Sequence, residues 1–254
     1  MFRIERQEKI LEYINEKQHV KTQELADVFQ ASVVTIRNDI GELASRGLVI
    51  KTHGGALCCQ HSPNMEIPSA IRLQENIESK QAIAEVAASL IEDGDVIILD
   101  SGSTTLEIAK RIHAQNVTVL TNDIKIASTL AERGGISVMV TGGTLLPSVY
   151  TLVGAQALEL FTTVRVKKLF LGCDAVDFEW GISNRTFEEI QVKTAMMNAA
   201  QEVIAVVDCS KFNRQVFAQL CGMDAIHTFI TDRISAEDRD RLESLGTRVM
   251  AALR

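Results

Sequence analysis

The hydrophobic positions of this chain change rhythm part-way along it. In the first fifty residues they recur at helical spacing. Ile10, Leu11 and Ile14 share one face of a helix over 7–17, and Leu25, Ala26 and Phe29 share one face of a shorter helix that Thr22 is placed to cap. Ser32 then stands as N-cap of a third helix, with Ile36, Ile40 and Leu43 at i, i+4 and i+7 and Gly47 as its stop. Two β-rich pieces, 48–52 and 56–57, are joined around Gly54 and Gly55. Three short helices followed by a hairpin predict a winged helix-turn-helix.

A polar stretch over 58–78 holds Pro63 and Pro68 and reads as a linker. Beyond it, short aliphatic runs alternate with amphipathic ones. The runs predict strands at 95–100, 117–121, 137–141, 168–172, 203–208, 228–231 and 248–251, with helices at 80–91, 105–113, 124–132 and 188–200 among them. Such alternation predicts an α/β domain over 79–254 with a mostly parallel sheet covered on both faces.

Composition narrows the class. Of 254 residues 46% are hydrophobic, enough for a real core and too many for a disordered chain. No run of apolar residues is long enough to span a membrane, and the charged first twenty residues do not read as a signal peptide. Five scattered cysteines without a Cys-x-x-Cys pair give no disulfide framework or zinc site. A cytoplasmic protein without metal or cofactor is expected. The net charge of −7 argues at first against a nucleic-acid partner. It is not evenly spread, however. Residues 1–57 carry eight basic and eight acidic side chains, so the whole excess belongs to 58–254.

The third helix carries the first candidate chemistry. Its apolar stripe turns Val34 and Asn38 outward, with Val33, Thr35 and Arg37 near the same N-terminal end. Arg and Asn have the bidentate geometry for guanine and adenine edges, and Lys51 and His53 on the hairpin are placed for phosphate or minor groove. On a single helix, Arg37 and Asn38 would more often decorate a solvated face; the order of elements favours DNA.

The second constellation lies where parallel strands end, because ligands of open α/β sheets bind there. Those ends supply Asp100, Thr121, Asn122, Thr141, Gly142, Gly143, Asp174 and Asp208. Asp100-Ser101-Gly102-Ser103-Thr104-Thr105 is a glycine and hydroxyl turn opening a helix, a cradle for phosphate or simply a self-capped helix. Lys211 puts an ammonium beside the strand ends, where it could pair with a phosphate or a carboxylate, and Asp177 stands three residues after Asp174. Glu189 and Lys193, one helical turn apart, read by themselves as a surface ion pair.

Two stretches carry a family resemblance. Residues 1–57, through Thr35-Ile36-Arg37-Asn38-Asp39-Ile40 and His53-Gly54-Gly55-Ala56, closely resemble the DNA-binding domain of the DeoR family of bacterial transcriptional regulators, whose common version has a second Arg at position 38. Residues 79–254 resemble that family's effector domain, similar in fold to ribose-5-phosphate isomerase. Asp100–Thr104 looks like the isomerase phosphate loop, Asp174–Asp177 like its Asp-Gly-Ala-Asp, and Asp208–Lys211 like its Asp-x-Ser-Lys. The lysine and glycine run that supports the isomerase base is replaced by 178–183. Thr35–Ile40 and Phe170–Asp177 look most like members that repress amino-sugar or galactitol utilisation.

The resemblance implies a non-enzymatic repressor of a carbohydrate operon, bound to operator DNA as a homodimer or homotetramer and released by a phosphorylated sugar. Its pocket would comprise Asp100, Gly102, Ser103, Thr104, Thr105, Thr121, Asn122, Gly142, Gly143, Asp174, Asp177, Glu189, Lys193, Asp208 and Lys211. Two alternatives stay open: a sugar-phosphate isomerase with an appended helix-turn-helix, using Glu188 or Glu189 as base and Lys211 for the enediolate, and a first domain that binds protein.

Overall fold

The computed structural model describes residues 3–17, 19–46, 48–52, 54–58, 69–146 and 149–252, in two compact units, Met1–Gln74 and Glu75–Arg254. The first unit runs α1 (Arg3–Lys17), β1 (His19–Lys21), α2 (Thr22–Val28), α3 (Val33–Ser45), β2 (Val49–Lys51), β3 (Gly55–Cys58) and α4 (Ser69–Arg72). Ile10, Ile14, Leu25, Ile36, Ile40 and Leu43, the residues that set the helical rhythm, form its core with Val20, Leu48 and Ala56. This is the winged helix-turn-helix, with one strand added. β1 is three residues long, too short to show a period, yet it makes a three-stranded antiparallel sheet in the order β1-β3-β2. Gly55 makes this pairing possible: a Cβ there would lie 1.9 Å from the Val20 carbonyl oxygen.

Ser32 caps α3 as its spacing predicts, accepting from the Thr35 amide at 3.1 Å. Thr22 differs from expectation. It is the first residue of α2 rather than its cap: the N-cap position falls on Lys21, which offers no side-chain acceptor, and the Thr22 amide bonds the Gly54 carbonyl of the hairpin at 2.8 Å. Gly47 lies outside the described residues.

The second unit runs α5 (Ile77–Ala88), β4 (Val96–Leu99), α6 (Ser103–Arg111), β5 (Val117–Thr121), α7 (Ile124–Ala131), β6 (Ile136–Val140), β7 (Thr144–Leu145), β8 (Leu152–Val153), α8 (Ala155–Thr162), β9 (Val166–Leu171), β10 (Ala175–Asp177), β11 (Gly181–Asn184), α9 (Phe187–Ala199), β12 (Ala200–Val206), β13 (Ala218–Cys221), β14 (Thr228–Thr231), α10 (Ala236–Ser244) and β15 (Arg248–Ala251). Both α4 and the first two residues of α5 fall within 58–78, while residues 59–68 lie outside the described part.

Seven strands form one parallel sheet in the order β15-β14-β12-β9-β4-β5-β6. They are the seven aliphatic runs of the sequence. Strands such as β4 and β9 are buried almost end to end, which is why they read as continuous apolar runs rather than alternating ones. The small antiparallel sheet β10-β11-β13 and the two-residue hairpin β7–β8 had no such signal. All seven strands point the same way, so one end of the sheet gathers Asp100, Thr121 to Asp123, Thr141, Gly172 to Asp174, Asp208 and Asp232.

Candidate functional sites

On the first unit, α3 buries Ile36, Asp39, Ile40 and Leu43 and leaves Val34, Arg37 and Asn38 exposed. Val33 and Thr35 are half-buried, and the Thr35 hydroxyl is shared with Ser32 at 2.8 Å. Lys51 is exposed at the end of β2, and His53 lies outside the described residues. The sequence reading gave no part to Asp39. Its carboxylate, 1% exposed, accepts from Arg6 Nε at 2.6 Å and Gln7 Nε2 at 3.1 Å, and Gln7 Nε2 also reaches Glu42 at 2.7 Å. Arg3 pairs with Glu42. The one clue was an acid falling on the apolar stripe of α3. These contacts pin α3 to α1 and neutralise the two acids of α3, which leaves Arg37 as its outward charge with no partner among the described residues.

In the second unit, Asp100 sits at the end of β4, fully buried. Its Oδ2 accepts from the Gly172 amide at 2.9 Å and from the Lys193 ammonium, which also reaches the Gly172 carbonyl at 3.0 Å. Burial alone would lower the Lys193 pKa; the charges of Asp100 and Glu189 outweigh it and hold the ammonium above its ordinary value. Glu189 and Lys193 are therefore not a surface pair. Both face inward, 3% and 2% exposed, and the partner Lys193 takes is 93 positions away. Glu189 accepts from the Thr186 hydroxyl at 2.6 Å.

Neighbouring strand ends continue the row. Thr121 pairs in register with Leu99, and the Thr141 amide bonds the Thr121 carbonyl at 3.1 Å. Asn122 Nδ2 is held by the Leu152 carbonyl at 3.1 Å. Four buried oxygens at these ends and at the end of β11 make no hydrogen bond to any described residue: Asp100 Oδ1, Asn122 Oδ1, Thr141 Oγ1 and Asn184 Oδ1. An unsatisfied buried polar atom costs roughly 1–3 kcal/mol, so a group of them marks where a polar ligand completes the structure.

α6 begins beside them, capped by the Gly102 backbone alone. Ser32, Asp123 and Ser235 each accept an amide at the start of their helices, whereas the Thr105 hydroxyl donates to the Gly102 carbonyl at 2.9 Å. The self-capped reading of this turn is thereby disfavoured. Ser103 is half-buried there and Thr104 is buried. Gly143 has φ +123°, and a Cβ on it would lie 2.4 Å from the Val153 carbonyl; Gly142 beside it is exposed.

Asp174 is buried at the end of β9 and accepts from the Arg185 amide at 3.0 Å. The thiol of Cys173, next to Asp174 in the chain, is pushed up to about 12, by burial first and Asp174 second, with Lys211 and Lys193 opposing. Both lysines thus act on the same strand end. Asp177 is placed elsewhere, at the turn of the β10–β11 hairpin. It accepts from the Trp180 and Glu179 amides at 2.7 and 2.9 Å, which hold its carboxyl below the usual range. Asp208 caps the short 3-10 turn Cys209–Lys211 through the Ser210 amide at 3.1 Å and accepts from Asn76 Nδ2 at 3.1 Å. A cavity of about 350 Å³ opens next to this turn, between Phe212, Arg233 and Ile234, and none of the predicted residues lines it.

A helix-turn-helix unit followed by an α/β unit with a cluster of polar groups at its strand ends is the architecture of a transcriptional regulator with a sensor domain. Residues 6–62 match the model of the DeoR-like helix-turn-helix domain and residues 75–233 that of the DeoR C terminal sensor domain. The chain belongs to the DeoR family. It is 33% identical over 253 residues to a protein of Escherichia coli O157:H7 named for repression of the aga operon, covering 97% of this chain and 93% of the other. It is 33% identical to the HTH-type transcriptional regulator GlpR of Haloferax volcanii (98% of each chain) and 32% identical to the HTH-type transcriptional repressor GlcR of Bacillus subtilis (97% of each). Among solved structures, the full-length sorbitol operon regulator SorC of Klebsiella pneumoniae aligns with 97% of this chain and all of its own at 11% identity and TM-score 0.40. A ribose-5-phosphate isomerase in complex with phospho-erythronic acid covers 54% of each chain at 20% identity and TM-score 0.40. No helix among the described residues is long and apolar enough to cross a membrane.

Proposed function

We propose that this regulator is a cytoplasmic repressor of a carbohydrate operon and that a phosphorylated sugar bound at the strand ends of its α/β unit releases it from its operator. The observation that carries the ligand is the group of unpartnered buried oxygens at Asp100, Asn122, Thr141 and Asn184 next to a helix start with no side-chain cap. Three of these atoms can only accept, which suits the hydroxyl donors of a sugar. The first amides of α6, with the Ser103 and Thr104 hydroxyls, are the donors an anionic phosphate requires, and Lys211 adds positive charge. Gly142 and Gly143 bring backbone close, while Asp174, Glu189 and Lys193 fix the wall. Asp177 belongs to this set only if its hairpin folds over the ligand.

On the DNA side Val33, Val34, Thr35, Arg37 and Asn38 face the major groove and Lys51 a phosphate, with His53 as a further contact. A neutral reading unit gains by doubling, so the working species is a homodimer or homotetramer. Two relatives at equal identity carry different names, and the sugar is therefore to be found at the pocket rather than from similarity.

The isomerase reading has less support, since 178–183 replace the segment that would hold a base, and Glu189 already accepts from Thr186. The test is a duplex selected by the chain from a random pool, titrated in the presence of ribose, fructose, glucose and amino-sugar phosphates. At least one ester should weaken binding, and Arg37→Ala should cost about 1–3 kcal/mol of operator affinity. Turnover of any ester, abolished by Lys211→Ala, would establish the enzyme instead.

A further inference from the structure

A sensor needs a physical link between its pocket and the chain that leads to the DNA. The second unit starts at Glu75, so α5 is its point of entry. The N-cap of α5 is Asn76, held at φ +50°, a left-handed conformation that asparagine tolerates better than most residues. Its amide donates to Asp208 Oδ1 at 3.1 Å and to Ser210 Oγ at 3.2 Å, more than 130 positions away in the sequence. One turn further on, the Ser79 side chain bonds Asp232. Lys80, buried, closes the entry by donating to the Glu75 carbonyl at 2.6 Å.

Asp208 and Asp232 stand at the ends of two adjacent strands, β12 and β14, and both are 2% exposed. Each does the same double duty. Asp208 holds the Ser210 amide and Asn76; Asp232 holds the Cys209 amide, at 2.7 Å, and Ser79. The turn Cys209–Lys211 and the first turn of α5 are therefore tied together by two shared carboxylates. That turn carries Lys211, and the 350 Å³ cavity beside Cys209 and Phe212 leaves it room to shift.

We propose that Asn76 is the coupling residue of this sensor: an anion that draws Lys211 moves the 209–211 turn, and the shared grip of Asp208 passes that movement through Asn76 to the start of α5. This rests on the pocket reading given above. Asn76 itself touches no part of the proposed pocket except Asp208 and the turn, so its role is positional. A carboxylate shared by two partners cannot follow one without straining or releasing the other, which gives ligand and DNA a common element to bias.

The test uses the full chain, the selected duplex, and as probes ribose 5-phosphate, fructose 6-phosphate, glucosamine 6-phosphate and inorganic phosphate. Calorimetry measures probe binding, and fluorescence anisotropy measures duplex affinity with and without probe. In the wild type a binding ester should weaken the duplex by something in the range of about 5- to 150-fold, the usual span of such coupling. Asn76→Gly keeps the left-handed backbone while removing the bond. It should bind ester and, without ester, duplex within about threefold of wild type, while its coupling falls to about twofold or less. Ser79→Ala, which leaves Asn76 in place, should reduce coupling part-way and guards against a folding defect in the first variant. Full coupling in both variants overturns the proposal while leaving the pocket reading intact. Failure of every ester to bind the wild type overturns the pocket reading and this inference with it.

Discussion

The two ends of the seven-stranded sheet use buried charge in opposite ways. Where β4 and β9 begin, Asp95 is held at both oxygens: Lys168 at 2.8 Å and the Glu92 amide at 3.0 Å on one, Lys167 at 2.9 Å on the other. Lys168 also reaches the Leu90 carbonyl at 2.6 Å. Where the same strands end, Asp100 has one oxygen crowded with Lys193 and Gly172 and the other with no partner, and Asn122 and Thr141 next to it are likewise incomplete. A closed network serves the fold. The open one at the carboxyl ends is where we have proposed that a ligand binds, and the two networks stand at opposite ends of one sheet.

The largest test of this contrast is at the closed end. Asp95→Ala leaves the Lys168 ammonium buried without its counter-charge and should cost roughly 3–5 kcal/mol in urea unfolding. Ester binding by the folded protein should be unchanged; a matching loss of binding would dissolve the distinction. At the open end the sign reverses. Thr141→Val removes a buried hydroxyl that has no partner, so the apoprotein should be more stable by about 1 kcal/mol while the ester binds roughly 2- to 10-fold more weakly. The smallest effect is with pH. Burial by itself raises the Asp95 carboxyl, but Lys168, the Glu92 amide and Lys167 bring it below its ordinary value. Its stabilisation is then complete above about pH 4, the unfolded value, and is lost as pH falls through the lower folded one. The gap between wild type and Asp95→Ala should narrow below that pH, as read by acid-titrated thermal melting.

Much of this was legible in the sequence, and for identifiable reasons. The helical stripe of Ile36, Ile40 and Leu43, the Ser32 cap and the seven aliphatic runs are local patterns that tertiary packing reinforced. Asp100, Asn122 and Thr141 could be found because parallel strands bring their ends together by topology alone. Lys193 was reached through the family resemblance alone; its local pattern did not show that it faces inward, since the acid it pairs with is 93 positions away and the nearer Glu189 offers a plausible surface partner. Asp39 escaped for a similar reason: its partners Arg6 and Gln7 lie on another helix. Asn76 lay in a stretch read as linker, where no local pattern marks a bond to Asp208.

The reading helix has a consequence for how such a protein can change. On α3 the residues that hold the helix in place and those that face outward alternate along the sequence but do not touch the same partners: Ile36, Asp39, Ile40 and Leu43 are inward, Val34, Arg37 and Asn38 outward. On the DNA face proposed above, the outward set can be rewritten while the clamp of Arg6 and Gln7 on Asp39 stays as it is, which makes that face an exchangeable surface on a fixed mount.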